Sequence, residues 1–182
     1  MNKRFRHINI ITLLAIIIAS YSCNYSSTPK TKELSYEGIS FSYSQSWKTE
    51  TENYSENAYF IEAKDRDNTI MVFFSLNSPS DPTDIVESYL EKIKKEKFDV
   101  SAGAISSGKF GKYNSQCADL LMTAIGQRIY SKVYALEIEG KTILIVEQSD
   151  TERRLERNFK TIEDSFHVEE TDSIQNSETG EE

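Results

Sequence analysis

Residues 127–148 read QRIYSKVYALEIEGKTILIVEQ, and this stretch decides the fold class. Two runs rich in apolar and β-branched residues, Gln127–Ile138 and Lys141–Gln148, flank Glu139-Gly140. A two-residue link ending in glycine between such runs is a tight hairpin turn. Within the second run, Thr142-Ile143-Leu144-Ile145-Val146 shows no polar alternation. That pattern belongs to a strand covered on both faces. The turn joins neighbours antiparallel, so the centre of the molecule is a sheet that needs layers packed on it.

Working towards the N-terminus, Gln116–Ile125 is a third strand signal, preceded by a turn-rich loop at Gly108–Asn114 and a short strand at Ser101–Ser107. Ala58–Lys64 and Thr69–Leu76 form another hairpin about the turn residues Asp65-Arg66-Asp67-Asn68. Its arm Ile70-Met71-Val72-Phe73-Phe74 is apolar throughout and central. In Gly38-Ile39-Ser40-Phe41-Ser42-Tyr43 the apolar residues alternate with serine, as in a half-buried strand. Trp47 closes an end of the core, and Thr49–Asn57 reads as a polar loop.

Two helical segments interrupt the strands. Asp81-Pro82 is a helix start, with Asp81 accepting from first-turn amides and proline at the first helical position. Ile85, Tyr89 and Ile93, beside Val86 and Leu90, make an apolar stripe of helical period. Lys92, Lys94, Lys95 and Lys97 crowd the end where cations are favoured, as on a solvated helix terminus. A closing helix follows Ser149, spaced from Glu152 as in a capping box; Leu155, Phe159, Ile162 and Phe166 form its buried row. The fold class is therefore α+β: a largely antiparallel sheet with helices packed on it, one on each face or two on one.

The ends of the chain have different chemistry. Lys3, Arg4 and Arg6 precede an apolar run from Ile8 to Ala19, then Ser20-Tyr21-Ser22 and Cys23. A basic start, a short apolar core and small residues are the layout of a secretory signal, and the run is shorter than the roughly 20 residues of a membrane span. Ser20-Tyr21-Ser22-Cys23 resembles the lipobox of bacterial lipoproteins, although serine stands where that motif usually has leucine. The resemblance implies cleavage before Cys23 and lipidation there, which places the chain on a cell or outer membrane, on its extracytoplasmic or periplasmic side. Asn24 in the next position favours onward sorting to an outer membrane where two membranes exist. The organisation expected is a signal peptide over 1–22, a tether over 23–33, a globular domain over 34–168 and an acidic disordered tail over 169–182. Loss of Lys3, Arg4 and Arg6 takes the formal charge from −8 to −11, which argues against nucleic acid as a partner.

Catalytic groupings are scarce. His7 leaves with the signal, and His167 stands at the end of the closing helix, so histidine dyads and nitrogen-rich zinc sites have little to build on. Cys117 has no intramolecular disulfide partner once Cys23 is lipidated; it reads as a small buried hydrophobe on a strand. Asp65, Asp67 and Asn68 follow the spacing of a calcium loop, but Ile70 occupies the place of its required glycine. Glu62, Glu137 and Glu147 lie on strands and are candidates for a carboxylate pair formed in space, with solvated strand faces the favoured reading. No catalytic, cofactor or metal residue is assigned, and the expectation is that the chain is not an enzyme.

The stretch from Tyr36 to Val168 resembles the PsbP fold of photosystem II extrinsic subunits, also found in bacterial lipoproteins. Gly38–Tyr43 followed by Trp47, the helix after Asp81-Pro82, and Leu155, Phe159, Ile162 and Ser165-Phe166 carry the likeness. It implies an α/β/α sandwich used for binding or assembly, without the metal-linked histidines of photosynthetic members. The leading expectation is an anchored, non-catalytic module that holds or assists an envelope protein complex. The alternative is a binder of a lipid, peptide or glycan, in a pocket lined by some of the aromatic residues Tyr59, Phe73, Phe110, Tyr113, Tyr130 and Tyr134. A flat exposed apolar patch would favour a protein partner, and a formed apolar cavity would favour the ligand.

Overall fold

The structure, a computed structural model, describes residues 30–169 except Asn77, Lys97, Phe98 and Ile125. The signal over 1–22, Cys23, the tether up to Pro29 and the tail from 170 lie outside the described residues. The chain runs β1 (Thr31–Tyr36), β2 (Ile39–Ser44), β3 (Lys48–Ser55), β4 (Ala58–Lys64), β5 (Asn68–Ser75), α1 (Pro82–Lys95), β6 (Asp99–Ala102) and β7 (Ser106–Phe110). It continues with β8 (Tyr113–Ala124), β9 (Gln127–Ile138), β10 (Lys141–Ser149), α2 (Glu152–Asn158), α3 (Lys160–Ser165) and β11 (His167–Val168).

The large sheet has the order β3-β4-β5-β10-β9-β8-β6, with β7 also paired to β8, and a smaller sheet runs β1-β2-β11. All of these pairs are antiparallel. The 127–148 hairpin lies at the centre as its sequence requires. Glu139 and Gly140 both take positive φ, 50° and 75°, the backbone that matches a two-residue turn to strand twist. On one face of the large sheet α1 packs across β8, β9 and β10. Val86 and Leu90 meet Leu120, Val133 and Val146 there. On the other face α2 packs on β10, β9 and β5, while α3 packs on β2 of the small sheet. The larger core lies between these layers, and it holds Phe41, Ile70, Phe110, Ile143, Ile145, Phe159 and Ile162. Phe166 is an aromatic hub in it: stacked on Phe41 at 6.4 Å and edge-on to Phe110 at 5.0 Å and Tyr113 at 6.0 Å. Trp47 meets Phe159 edge-on at 5.6 Å.

Several expectations are corrected. Of the stretch Thr49–Asn57 only Glu56-Asn57 is a turn; the rest is most of β3, an edge strand exposed at every residue. A strand with water on both faces needs no apolar alternation, so its sequence reads as polar. Its lysine and glutamates also suit an unpaired edge. Gly108–Asn114 is likewise mostly strand: β7 reaches Phe110, β8 begins at Tyr113, and Gly111-Lys112 alone turns. The globular part starts at Thr31, so the last three residues expected in the tether belong to β1. At the other end, Glu169 is expected in the tail, yet its N–H donates to the Gly38 carbonyl and its own carbonyl accepts from Lys141 Nζ.

The closing helix is two short helices that meet at Phe159. Ser149 does not cap it; Thr151 holds the N-cap position without a side-chain bond. Ser149 ends β10, and its hydroxyl donates to Asn68 Oδ1 at 2.9 Å. His167 is in β11 opposite Ser40 rather than on a helix. Asp65, which shares the spacing of a calcium loop, folds the β4–β5 turn onto itself. Its Oδ1 accepts from the N–H groups of Asp67 and Asn68, each at 2.8 Å.

Candidate functional site

Two surface features stand out, one on each face of the large sheet. On the α1 face, strand register sets Phe60 opposite Phe73 and Phe73 opposite Leu144, which makes an apolar row across β4, β5 and β10. The Phe60 and Phe73 rings are 4.7 Å apart. Tyr54 on the edge strand extends the row, 6.0 Å from Phe60, and is 58% exposed. Helix α1 covers β8 to β10 but stops short of this corner, where Ile85 forms one wall of a shallow apolar depression of about 270 Å³. Tyr54, Phe73 and Leu144 line the rest, beside the unpaired edge of β3.

On the opposite face, a polar cavity of about 420 Å³ opens between β8, β9, β10 and the closing helices. Register puts Asp119, Lys132 and Glu147 in one line across three strands. Glu147 is 1% exposed, and its Oε1 has no hydrogen-bond partner among the described residues. Lys132 lies over the Tyr134 ring at 5.5 Å and is 4.0 Å from Asp119. Glu163 of α3 and Glu152 and Glu156 of α2 complete the acidic wall, with Lys109 of β7 across from them.

The electrostatics follow from burial. Desolvation pushes the Glu147 carboxyl well above the usual carboxylate range, and the negative Glu163 adds to this. Lys132 and a hydrogen bond with the Tyr134 phenol act in the opposite direction. Glu163 is also raised, by partial burial, with Lys160 and Lys132 opposing. Burial drives the Tyr134 phenol upward, helped by Glu147 and Glu163.

Of the three strand glutamates, Glu62 is half-buried and pairs with Lys64, and Glu137 is exposed and accepts from Gly140 N–H at 3.3 Å. Glu147 is the exception: it faces inward. Its signal is present in the period of two, because Ile143, Ile145 and Glu147 share one face of a strand whose apolar members are buried. Cys117 on β8 is half-buried, with Sγ 3.9 Å from Ser106 Oγ. The six aromatics named as candidates for a ligand pocket fall in three places. Tyr59 and Phe73 border the depression, Tyr130 and Tyr134 border the acidic cavity, and Phe110 and Tyr113 pack around Phe166. Cys23 lies outside the described residues. Among the described residues, no three His, Cys, Asp or Glu side chains are grouped to hold a metal ion. No helix there is long and apolar enough to cross a membrane.

No family model matches the sequence, and no curated protein does. Solved structures do match the fold. The cyanobacterial PsbP protein (CyanoP) of Synechocystis sp. PCC 6803 superposes with a TM-score of 0.57 at 16% identity, over 81% of this chain and 98% of that one. A protein of Bacteroides thetaiotaomicron gives 0.52 at 10% identity, over 76% of this chain and 48% of its own. LpqN, involved in cell envelope biogenesis of Mycobacterium tuberculosis, gives 0.47 at 15% identity over 76% of this chain and 90% of that one. The chain has a PsbP-like α+β fold: a mostly antiparallel sheet with helices packed on both faces. At these identities the likeness is one of fold, and fold alone does not assign an activity.

Proposed function

We propose that this chain is a lipid-anchored, non-catalytic docking module of the bacterial cell envelope, which holds or assists a protein complex there. The observation that carries the reading is the Tyr54–Phe60–Phe73 row beside the exposed edge of β3. An apolar, open and shallow surface suits a protein partner, whose side chains fill the depression while its backbone can add to the free edge. Tyrosine and phenylalanine are also among the side chains enriched at interfaces. Anchoring through lipid on Cys23 supplies the location, since two or three acyl chains hold a protein on a membrane durably. The alternative, an envelope binder of a lipid, peptide or glycan, would use one of the two smaller aromatic groupings, Tyr59 with Phe73 or Tyr130 with Tyr134.

Affinity purification from crosslinked membranes tests this, with the wild type compared with Tyr54→Glu. One envelope protein recovered near stoichiometrically with the wild type and lost with the variant supports docking. Equal recovery with both, or none with either, contradicts it. The anchor is tested separately: Cys23→Ala should give no fatty-acid incorporation, and labelled, membrane-bound Cys23→Ala protein would refute lipidation at that residue.

A further inference from the structure

The acidic cavity has no part in that docking reading. Lys132 is 4.0 Å from Asp119 and lies over the Tyr134 ring, so its charge is shared with Asp119 and only partly offsets the glutamates. What remains around the cavity is Glu147, Glu163, Glu152 and Glu156, with Lys109 the remaining cation among the described residues that line it. These carboxyl groups are layered. Glu147 is at the buried floor with an unpartnered oxygen, Glu163 is half-buried above it, and Glu152 and Glu156 are exposed at the rim. A buried acceptor without a donor is destabilising, the more so where it is charged. An occupant that supplies N–H donors and positive charge at the floor removes that cost.

We propose that this cavity is a binding site for a small aliphatic diamine, with one ammonium against Glu147 and Glu163 and the other against the Glu152–Glu156 rim. Two cationic ends match carboxylates at two depths, whereas a metal ion would need three or more ligands converging at one point. The volume, about 420 Å³, is in the range of small-ligand sites. The Tyr134 phenol faces the same space and can accept from the inner ammonium. Lys109 also lines the cavity and its charge opposes any entering cation, so an occupant must pair with more than one carboxylate to be held.

The test is isothermal titration of the full chain in detergent with diaminobutane, butylamine, butanediol and succinate. Diaminobutane should bind saturably with one site, butylamine about tenfold more weakly, and the diol and the diacid not at all. Binding to the ionised floor expels the Glu147 proton. Affinity should therefore rise with pH above the ordinary carboxylate range, with heats that depend on the buffer's ionisation enthalpy. Glu147→Gln should lose at least about tenfold in affinity, and Glu163→Gln, at a half-buried position that tolerates the change, should also weaken binding. Butanediol binding as well as the diamine, wild-type affinity in both variants, or no saturable heat up to about 10 mM diamine would overturn the proposal.

Discussion

Glu147 lies directly across the β9–β10 ladder from Lys132, yet the lysine's ion pair is with Asp119 on the other neighbouring strand, 4.0 Å away. The buried carboxyl has no ion pair: Glu163 acts on it as a like charge, and the Lys132 charge and a hydrogen bond with the Tyr134 phenol oppose this only in part. A buried charge without a close partner destabilises the fold, so the neutral form is favoured there.

The consequence for stability has a definite sign. The folded carboxyl holds its proton to a higher pH than the unfolded one, so between the two values the native state binds more protons. Stability therefore falls as pH rises through that window, and the effect vanishes below the ordinary carboxylate value of 4.5, where both states are protonated. Lys132 and Tyr134 on β9, Asp119 and Cys117 on β8, and Glu163 on α3 are the charged or titratable groups that face this cluster. Glu152 and Glu156 on α2 and Lys109 on β7 face it too. Glu147→Gln should raise the melting temperature above that window and leave it nearly unchanged below it. Each kcal/mol gained shifts Tm by about 2–4 °C at this size. Melting curves across pH check this; equal shifts at acid and alkaline pH would contradict it.

Asn68 joins three elements at once. Its side-chain nitrogen donates to Asp65, and its Oδ1 accepts from Ser149 Oγ at 2.9 Å and Asn158 Nδ2 at 3.2 Å. Asn68→Ala leaves the buried Ser149 hydroxyl without that acceptor and should cost about 1–3 kcal/mol, read as a lower urea midpoint with an unchanged slope.

Gly111 turns β7 into β8 at φ +56°, and a Cβ added there would run into the backbone carbonyl of Glu163. Both the left-handed backbone and the close approach require glycine. Gly111→Ala should destabilise by about 2 kcal/mol or more, by urea unfolding. It should also move α3, so the environment of Glu163 would change in NMR spectra.

Much of this was legible in the sequence, and the exceptions have physical causes. The central hairpin, α1 with Asp81 accepting from Thr83 N–H at 2.7 Å, and the buried row Leu155, Phe159, Ile162 and Phe166 follow from period and capping chemistry. Strand β3 was invisible because an edge with no buried face carries no alternation. Ser149 has the spacing of a cap, but a long-range bond to Asn68, 81 residues away, takes its hydroxyl. The acidic cavity depends on register: three strands must align before Asp119, Lys132 and Glu147 fall into line. Glu147 itself could have been placed inside by counting from Ile143 and Ile145. The aromatic row of exposed Tyr54 and half-buried Phe60 and Phe73 was unreadable because nothing local shows where α1 ends its cover.

The most direct test of the docking account is a photo-crosslinking side chain placed at Tyr54 in membrane-bound protein, with Arg153 on α2 as the control position. A single crosslinked envelope protein from position 54, absent from position 153 and lost on Phe73→Ala in protein with an unchanged fold, is the result expected. No product at 54, or the same products from both positions, would contradict a docking surface on this row.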